Sequence, residues 1–502
     1  MLGAVAHRRI YLLLLAMLAV TMTTSVWAAN LAWTLLGINW LLEGRWRQKW
    51  QLAKSSRLLH AILALYALLA AGLLWSSDPA AGFHELQVKL PFAVIPLVVL
   101  TTPPVERRPR AMLLSLYVLT VVAMTVVGTV RLLTLPDLPT RQAVPHISHI
   151  RFGLHCCVAL FLAASFALTR RPMPPLLRIA LLAVSLWLAA FLVLLRAHTA
   201  LTILAVVAPL TAVRHRRWKL VAAWGLLAAL AGILVFREVR SYYRLQPIAS
   251  QPLRPFTANG RPYLHACDDI VENGNYINNY RCPDELRREW NRRSTLPYDQ
   301  PTATGYAVEP TLVRYLNALG LPKDSAGVAT LTPEQIGHVE RGIANPVYLQ
   351  RNPLRQSVYT FLFEFEHHRH TRSVAGFTLL QRLALWQTTL EVIGQNPLAG
   401  TGTGALVPAL QRQLAAEGSE LAGHPMHPHN QYLTLAATLG IPLAALLLFL
   451  FLRAIPLSRR RRLTPVAFAT LLTLLLSMLT DNTLDTLHGI LLATLLLPYR
   501  DV

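Results

Sequence analysis

The feature that most limits what this chain can become is its succession of apolar runs, many of them near the ~20 residues a helix needs to cross bilayer hydrocarbon. They fall at about 10–27, 29–42, 58–75, 89–103, 110–132, 151–169, 177–195, 198–213, 218–236, 430–452, 464–480 and 484–498. In hydrocarbon each backbone N–H and C=O must find its partner within the protein, so each run reads as a helix. The runs at 29–42 and 89–103 are short and need tilt or help from flanking residues. Composition agrees: 54% of the residues are hydrophobic and 14% charged, against about a quarter charged in soluble domains. The expected fold class is all-α: a polytopic integral membrane protein of about twelve transmembrane helices, with one large loop domain between spans nine and ten.

A formal net charge of +22 on a soluble chain would point to nucleic acid. Here the basic residues sit in short tracts between apolar runs. His7-Arg8-Arg9, GRWRQKWQLAKSSR (44–57), ERRPR (106–110), RRPMPPLLR (170–178), RHRRWK (214–219), SRRRR (458–462) and the terminal YRDV all fall on one side. Short loops on the other side, such as SSDPAAGFHE (76–85), are neutral or acidic. That asymmetry puts the basic loops and both termini in the cytoplasm and argues against a nucleic-acid partner. The first run can alternatively be read as a signal peptide, because Val26-Trp27-Ala28 resembles a cleavage site; removing it leaves the remaining topology unchanged. Three domains follow: spans one to nine over 1–236, a large outside domain over 237–429, and spans ten to twelve over 430–502.

The outside domain reads in two parts. Residues 237–350 are rich in Arg, Asn, Tyr and Pro with little sustained periodicity, and are expected to form an irregular cap. Cys267 and Cys282 lie in it, and in an oxidising compartment a bridge between them would close a loop worth roughly 3 kcal/mol. Neither has a CxxC companion, which disfavours zinc; Cys156 and Cys157 lie in an apolar run and read as packing residues. Residues 354–420 are expected to be helical. In FTLLQRLALWQTTLEVIG (377–394), Gln381, Arg382, Gln387 and Glu391 interrupt the apolar residues, so the helix suits the membrane surface better than its interior. NPLAGTGTG (396–404) follows. It lacks the GK[ST] ending of a phosphate loop, and close backbone packing is the preferred reading over phosphate cradling.

HPMHPHNQYL (424–433) lies where the chain re-enters the membrane. Asn430 can cap the next helix, and Pro428 restricts His427. His429 then sits at the helix mouth, either as a proton acceptor or bonded to nearby backbone. His424, His427 and His429, with EHHRH (366–370), lack the spacing of a metal motif. Four cations stand at the outer ends of spans or on the surface helix: Lys89, Arg151, Arg196 and Arg382, the last with Trp386 one turn on. Singly each reads as a snorkelling side chain. Together they oppose the charge asymmetry, and convergent guanidinium groups suit a diphosphate.

RLALW (382–386), NPLAGTGTG and HNQYL followed by Gly440 resemble the shared signature of the O-antigen ligases and polymerases, and WSSDPAAGFHELQVKLPFAVIP (75–96) resembles the ligases' early outer loop and next span. The resemblance covers most of the apolar part, not 240–350, and Leu195 stands before Arg196 where the family pattern has serine. It implies a transferase of the bacterial inner membrane, its site facing the periplasm and using no ATP, metal or other cofactor. Such an enzyme moves a glycan from undecaprenyl diphosphate to lipid A-core among membrane lipids. His429 would be the base, Arg382 and Arg196 would stabilise the leaving diphosphate, and Lys89, Arg151, Trp386, Asn430 and Tyr432 would contact substrate. An O-antigen polymerase or a protein O-oligosaccharyltransferase would differ in the acceptor; a chain ending just after its last span disfavours the latter. A lipid-linked glycan transporter would need polar groups at mid-membrane, and the spans are largely free of charge.

Overall fold

The computed structural model describes residues 3–135, 138–169, 172–244, 253–266, 270–350, 352–374, 376–454 and 463–496. The basic tract at 458–462, the terminal YRDV and Cys267 lie outside the described residues. The chain divides into two compact units, residues 1–224 with 381–502 and residues 225–380.

The first unit is a helical membrane body. Seven helices are long and apolar enough to cross a membrane among the described residues: Ala4–Thr24, Arg57–Trp75, Pro79–Thr101, Arg107–Thr134, His149–Leu168, Pro175–Leu194 and Trp218–Arg244, the last running across the boundary between units. The other apolar runs form the shorter helices Val26–Glu43, His198–Arg214, Ile441–Ala454, Pro465–Ser477 and Leu487–Leu496. The chain is thus a mostly helical, multi-pass membrane protein. Its most buried element is His149–Thr169, packed against Arg107–Thr134, Pro175–Leu194, His198–Arg214 and Pro465–Ser477. Phe152, Leu154, Cys156, Cys157, Val158, Ala159, Leu162 and Ala163 are almost wholly enclosed. The packing residues include Gly153, where an added Cβ would come within 2.8 Å of the Ala200 Cβ. Small residues permit that approach, the usual device where water cannot drive helices together.

The run expected at 430–452 is not one helix. It breaks at Gly440 into Gln431–Leu439 and Ile441–Ala454. The cause is the glycine loop. Gly440 has φ +81°, and a Cβ there would lie 2.1 Å from the Leu398 carbonyl oxygen. The Ile441 N–H donates to Pro397 O, Thr401 N–H to Ala437 O and Gly402 N–H to Thr438 O. The same loop reaches the early outer loop: Thr403 N–H donates to Gly72 O, and Trp75 Nε1 to Ala399 O at 2.9 Å. A Cβ on Gly404 would stand 2.1 Å from Gly82 N. Close backbone packing explains these glycines without any phosphate.

Residues 381–429, expected within the outside domain, therefore belong to the membrane body. The reason is that the glycine loop bonds to Gly72 and to Ala437–Ile441 through its main chain, and to Leu69 O through the Thr403 hydroxyl.

The second unit corrects the expectation of an irregular cap. It contains helices Pro283–Arg293, Val308–Ala318, Ser325–Ala329, Pro333–Glu340 and Pro353–Thr371, with a small hairpin pairing Val271–Glu272 with Asn275–Tyr276. Leu286, Trp290, Val308, Leu312, Tyr315, Leu316, Val328 and Val339 form a closed core. Four of these helices have 5 to 11 residues, at or below the shortest window over which amphipathic periodicity becomes legible. Cys282 is buried at the N-cap of Pro283–Arg293 and has no disulfide partner among the described residues; the bridge expected to Cys267 involves a residue outside those described.

Candidate active site

Helix Gln431–Leu439 begins with Asn430, whose side-chain oxygen accepts from Tyr432 N at 3.0 Å and Leu433 N at 3.1 Å. This is a complete N-cap, and it satisfies two of the four amides a helix start leaves open. The residue before the cap is His429, at φ +53°. A non-glycine residue in the left-handed region costs roughly 1–2 kcal/mol. Its neighbours hold it there: Trp386 Nε1 donates to Pro428 O at 2.8 Å, which ties helix Thr378–Gln395 to the approach of Gln431–Leu439.

His429 Nδ1 lies 3.7 Å from Asp481 Oδ1, with the carboxylate 9% exposed and the imidazole 39%. That is an ion-pair distance, longer than a hydrogen bond. Burial alone would push the Asp481 carboxyl up. His429, Arg151 and the Asn482 N–H outweigh it, and the carboxyl is held below its ordinary range. Asp481 is therefore an anion at neutral pH, within ion-pair distance of the imidazole.

Arginines surround this pair. Arg151 and Arg382 both act electrostatically on Asp481. Each has its Nε buried without a hydrogen-bond partner among the described residues. Burial draws the Arg382 guanidinium below its usual basicity, partly offset by Asp481. His149 carries the cluster onward, in electrostatic range of Arg141, Arg382 and His198, and His198 in range of Arg196. Arg196 occupies the left-handed C′ position after Pro175–Leu194, at φ +53°. Its N–H donates to Val193 O and that of Ala197 to Leu192 O, the Schellman pattern that ordinarily selects glycine. Arg216 does the same after His198–Arg214, so the turn alone assigns no role; Arg196 is set apart by its neighbours.

Other residues named from the sequence lie differently. Lys89 is buried between Glu85 and Asp485, 3.1 Å from the latter, so its charge is matched within the protein. Tyr432 spends its hydroxyl on the Leu475 carbonyl at 2.9 Å. Residues 366–370 fall in the other unit from His429. Among the described residues no three His, Cys, Asp or Glu side chains gather as a metal would require.

The loop Asp481–Asp485 was not singled out from the sequence. Asp485 accepts from Gln431 Nε2 at 3.2 Å and Asn482 Nδ2 at 2.9 Å, and Leu484 N–H donates to Gln431 Oε1 at 2.9 Å. These bonds lock the loop against the start of Gln431–Leu439 and set Asp481 beside His429. A signal was present, because Asp481 and Asp485 are the only charged residues between 464 and 498, and carboxylates in such a stretch mark function by default.

The assembled group is a histidine 3.7 Å from a buried carboxylate, with Arg151 and Arg382 in electrostatic range of that carboxylate. Among curated proteins none matches this chain. Residues 343–448, which include Arg382, Trp386, the glycine loop and His429, match the family model described as O-antigen ligase. That match supports a place for the chain in the O-antigen ligase and polymerase superfamily, whose members are glycosyltransferase-like ligases and polymerases.

Proposed function

We propose that the protein is an O-antigen ligase, a transferase that moves a glycan from undecaprenyl diphosphate onto lipid A-core on the periplasmic side of the inner membrane. The observation that carries the reading is the pairing of His429 with Asp481 at 3.7 Å beside two arginines whose Nε atoms are buried and without a partner among the described residues.

The chemistry needs little more. The donor sugar is already activated by its diphosphate. The acceptor hydroxyl attacks the anomeric carbon, its C–O bond to the diphosphate breaks, and the hydroxyl proton passes to His429. A positioned base of this kind contributes about 10²–10⁴ in rate. Asp481 is a positioning residue that stabilises the imidazolium as it forms. Arg382, Arg151 and Arg196 receive the departing negative charge, and each well-aimed donor is worth about 10²–10³. One direct displacement inverts the anomeric carbon. Lys89 positions the Asp481–Asp485 loop through Asp485, while Asn430, Trp386 and Tyr432 fix the backbone that presents His429.

The test is transfer by the purified protein in detergent, from a lipid-linked glycan to lipid A-core. Formation of the joined product without ATP is the expected result; no product with a competent donor and acceptor overturns the reading. Deleting the gene separates ligase from polymerase. A ligase loses every polymer band on the core while polymer accumulates on the carrier, whereas loss of a polymerase leaves single-repeat bands.

A further inference from the structure

Within residues 225–380 there is a cavity of about 370 Å³ that the transfer chemistry above does not use. It lies between the end of helix Trp218–Arg244 and helix Pro353–Thr371, and its lining includes Glu238, Tyr242, Asn273, Asn345, Arg355 and Tyr359. Its size falls at the lower end of small-molecule sites, roughly 300–1,000 Å³.

Its floor is rigid. The fully buried Glu272 carboxylate accepts from Arg314 Nε at 3.0 Å and Nη2 at 2.6 Å, from Asn345 Nδ2 at 3.0 Å and from the Tyr359 hydroxyl at 3.1 Å. Asn345 Nδ2 also reaches the Tyr359 oxygen at 2.9 Å. The Tyr242 and Tyr359 rings meet edge to face with centroids 5.1 Å apart. Tyr242 lines the cavity, and its hydroxyl is buried with no partner among the described residues. Buried polar groups are rarely left so without a ligand or water to meet them.

The charges are balanced as well. Glu238 lies 3.9 Å from Arg355, and Glu272 is matched by Arg314. A phosphate would find no spare cation here, and a hydrocarbon chain would strip water from amide and carboxylate groups for no return. What fits is a small ring that offers hydroxyls to amides and a C–H face to tyrosines.

We propose that this cavity binds an uncharged pyranose unit of a glycan that the protein handles. The inference rests on the transferase reading. Two sources share that chemistry, the glycan on the lipid carrier and the outer sugars of lipid A-core.

The experiment uses the full-length protein in detergent. Binding is measured by equilibrium titration with two probes, phosphate-free oligosaccharide released from the carrier and delipidated core oligosaccharide. Tyr242→Phe removes only the unpaired hydroxyl, and Ala318→Trp fills the cavity from its rim. One probe should bind to the wild type, bind about fivefold more weakly to Tyr242→Phe, and not bind to an Ala318→Trp protein that unfolds as the wild type does. Which probe responds identifies the donor or the acceptor. In transfer assays KM for that substrate should rise in both variants with kcat unchanged. No binding of either probe to the wild type, or unaltered binding to folded Ala318→Trp, overturns the inference. Probe binding lost in Ala318→Trp, in a wild type that transfers nothing, sinks the transferase reading and leaves the cavity assignment standing.

Discussion

The neighbourhood of Asp481 and the core of residues 225–380 treat buried charge in opposite ways. In residues 225–380 the ions are closed off by partners. Glu272 is met by Arg314, Asn345 and Tyr359. Glu285 accepts from the Thr257 hydroxyl at 2.7 Å and from both the hydroxyl and N–H of Ser325, and for all its burial its carboxyl is held below the ordinary range. Even Arg281, whose Nε is unpaired, uses its other nitrogens on Asn278 and Glu309. Near Asp481, by contrast, Arg151 and Arg382 each keep a buried Nε without a partner among the described residues. Burying a charge without satisfying it is expensive. A fold keeps such groups where something else, such as a substrate anion, completes them. Unmet guanidinium donors beside a buried carboxylate and a histidine, rather than burial or charge alone, mark the neighbourhood of Asp481.

The sharpest test of that contrast is His429→Ala. Transfer should fall by about 10²–10⁴, while the amount of protein in the membrane and its unfolding temperature stay at wild-type values. A variant with near-normal turnover removes His429 as the base. Next in size is Arg314→Met in the other unit, which leaves Glu272 buried without its cation. A loss of about 3–5 kcal/mol of stability is expected, read by denaturant midpoint or by proteolysis within 225–380. Removing both charges, as Glu272→Leu with Arg314→Met, should restore much of it, and a double variant as unstable as the single one would break the comparison. Arg382→Lys tests the reactive side again. Lysine keeps the charge and loses the planar fork, so transfer should drop by about 10²–10³ with stability unchanged. Lysine that works as well as arginine would reduce Arg382 to a general attraction.

How much of this was legible beforehand depended on whether the physical cause lay within the segment. Bilayer thickness imposes its own length on apolar runs, so the helices of the membrane body appear in the sequence in their order. The break at Gly440 does not, because its cause is a loop some forty residues earlier, pressing Leu398 against the glycine. His429, Asn430 and Arg382 could be named because a proline–cap motif and a lone arginine in an apolar helix stand out. Their convergence with Arg151 and Asp481 could not, since it arises from packing of helix His149–Thr169 beside Pro465–Ser477. Asp481 and Asp485 were hidden by appearing to be an ordinary turn between spans. The core of 225–380 was hidden by helices too short to show a period.

The smallest effect expected belongs to Lys323, an architectural ion in the second unit whose closure is incomplete in charge. It is 3% exposed, and its ammonium donates to Asn317 Oδ1 at 2.8 Å and Tyr276 O at 3.3 Å. Both are neutral acceptors. Burial, and then Arg281, bring its pKa down from 10.5 to about 8, against a weaker pull from Glu272. The unfolded chain therefore holds this proton between pH 8 and 10.5 while the folded chain has lost it. More protons on the unfolded state mean that stability rises with pH across that window, by at most about 1.4 kcal/mol per pH unit. Tyrosines titrate in the same range with the opposite sign, so the quantity to measure is the wild type minus Lys323→Met. That difference in unfolding free energy, followed by pulse proteolysis of the full-length protein, should grow from pH 8 to 10 and be flat below pH 7. A flat difference throughout would mean that the ammonium is as well satisfied as Glu272, and the division between closed and open charge would then be complete within this unit.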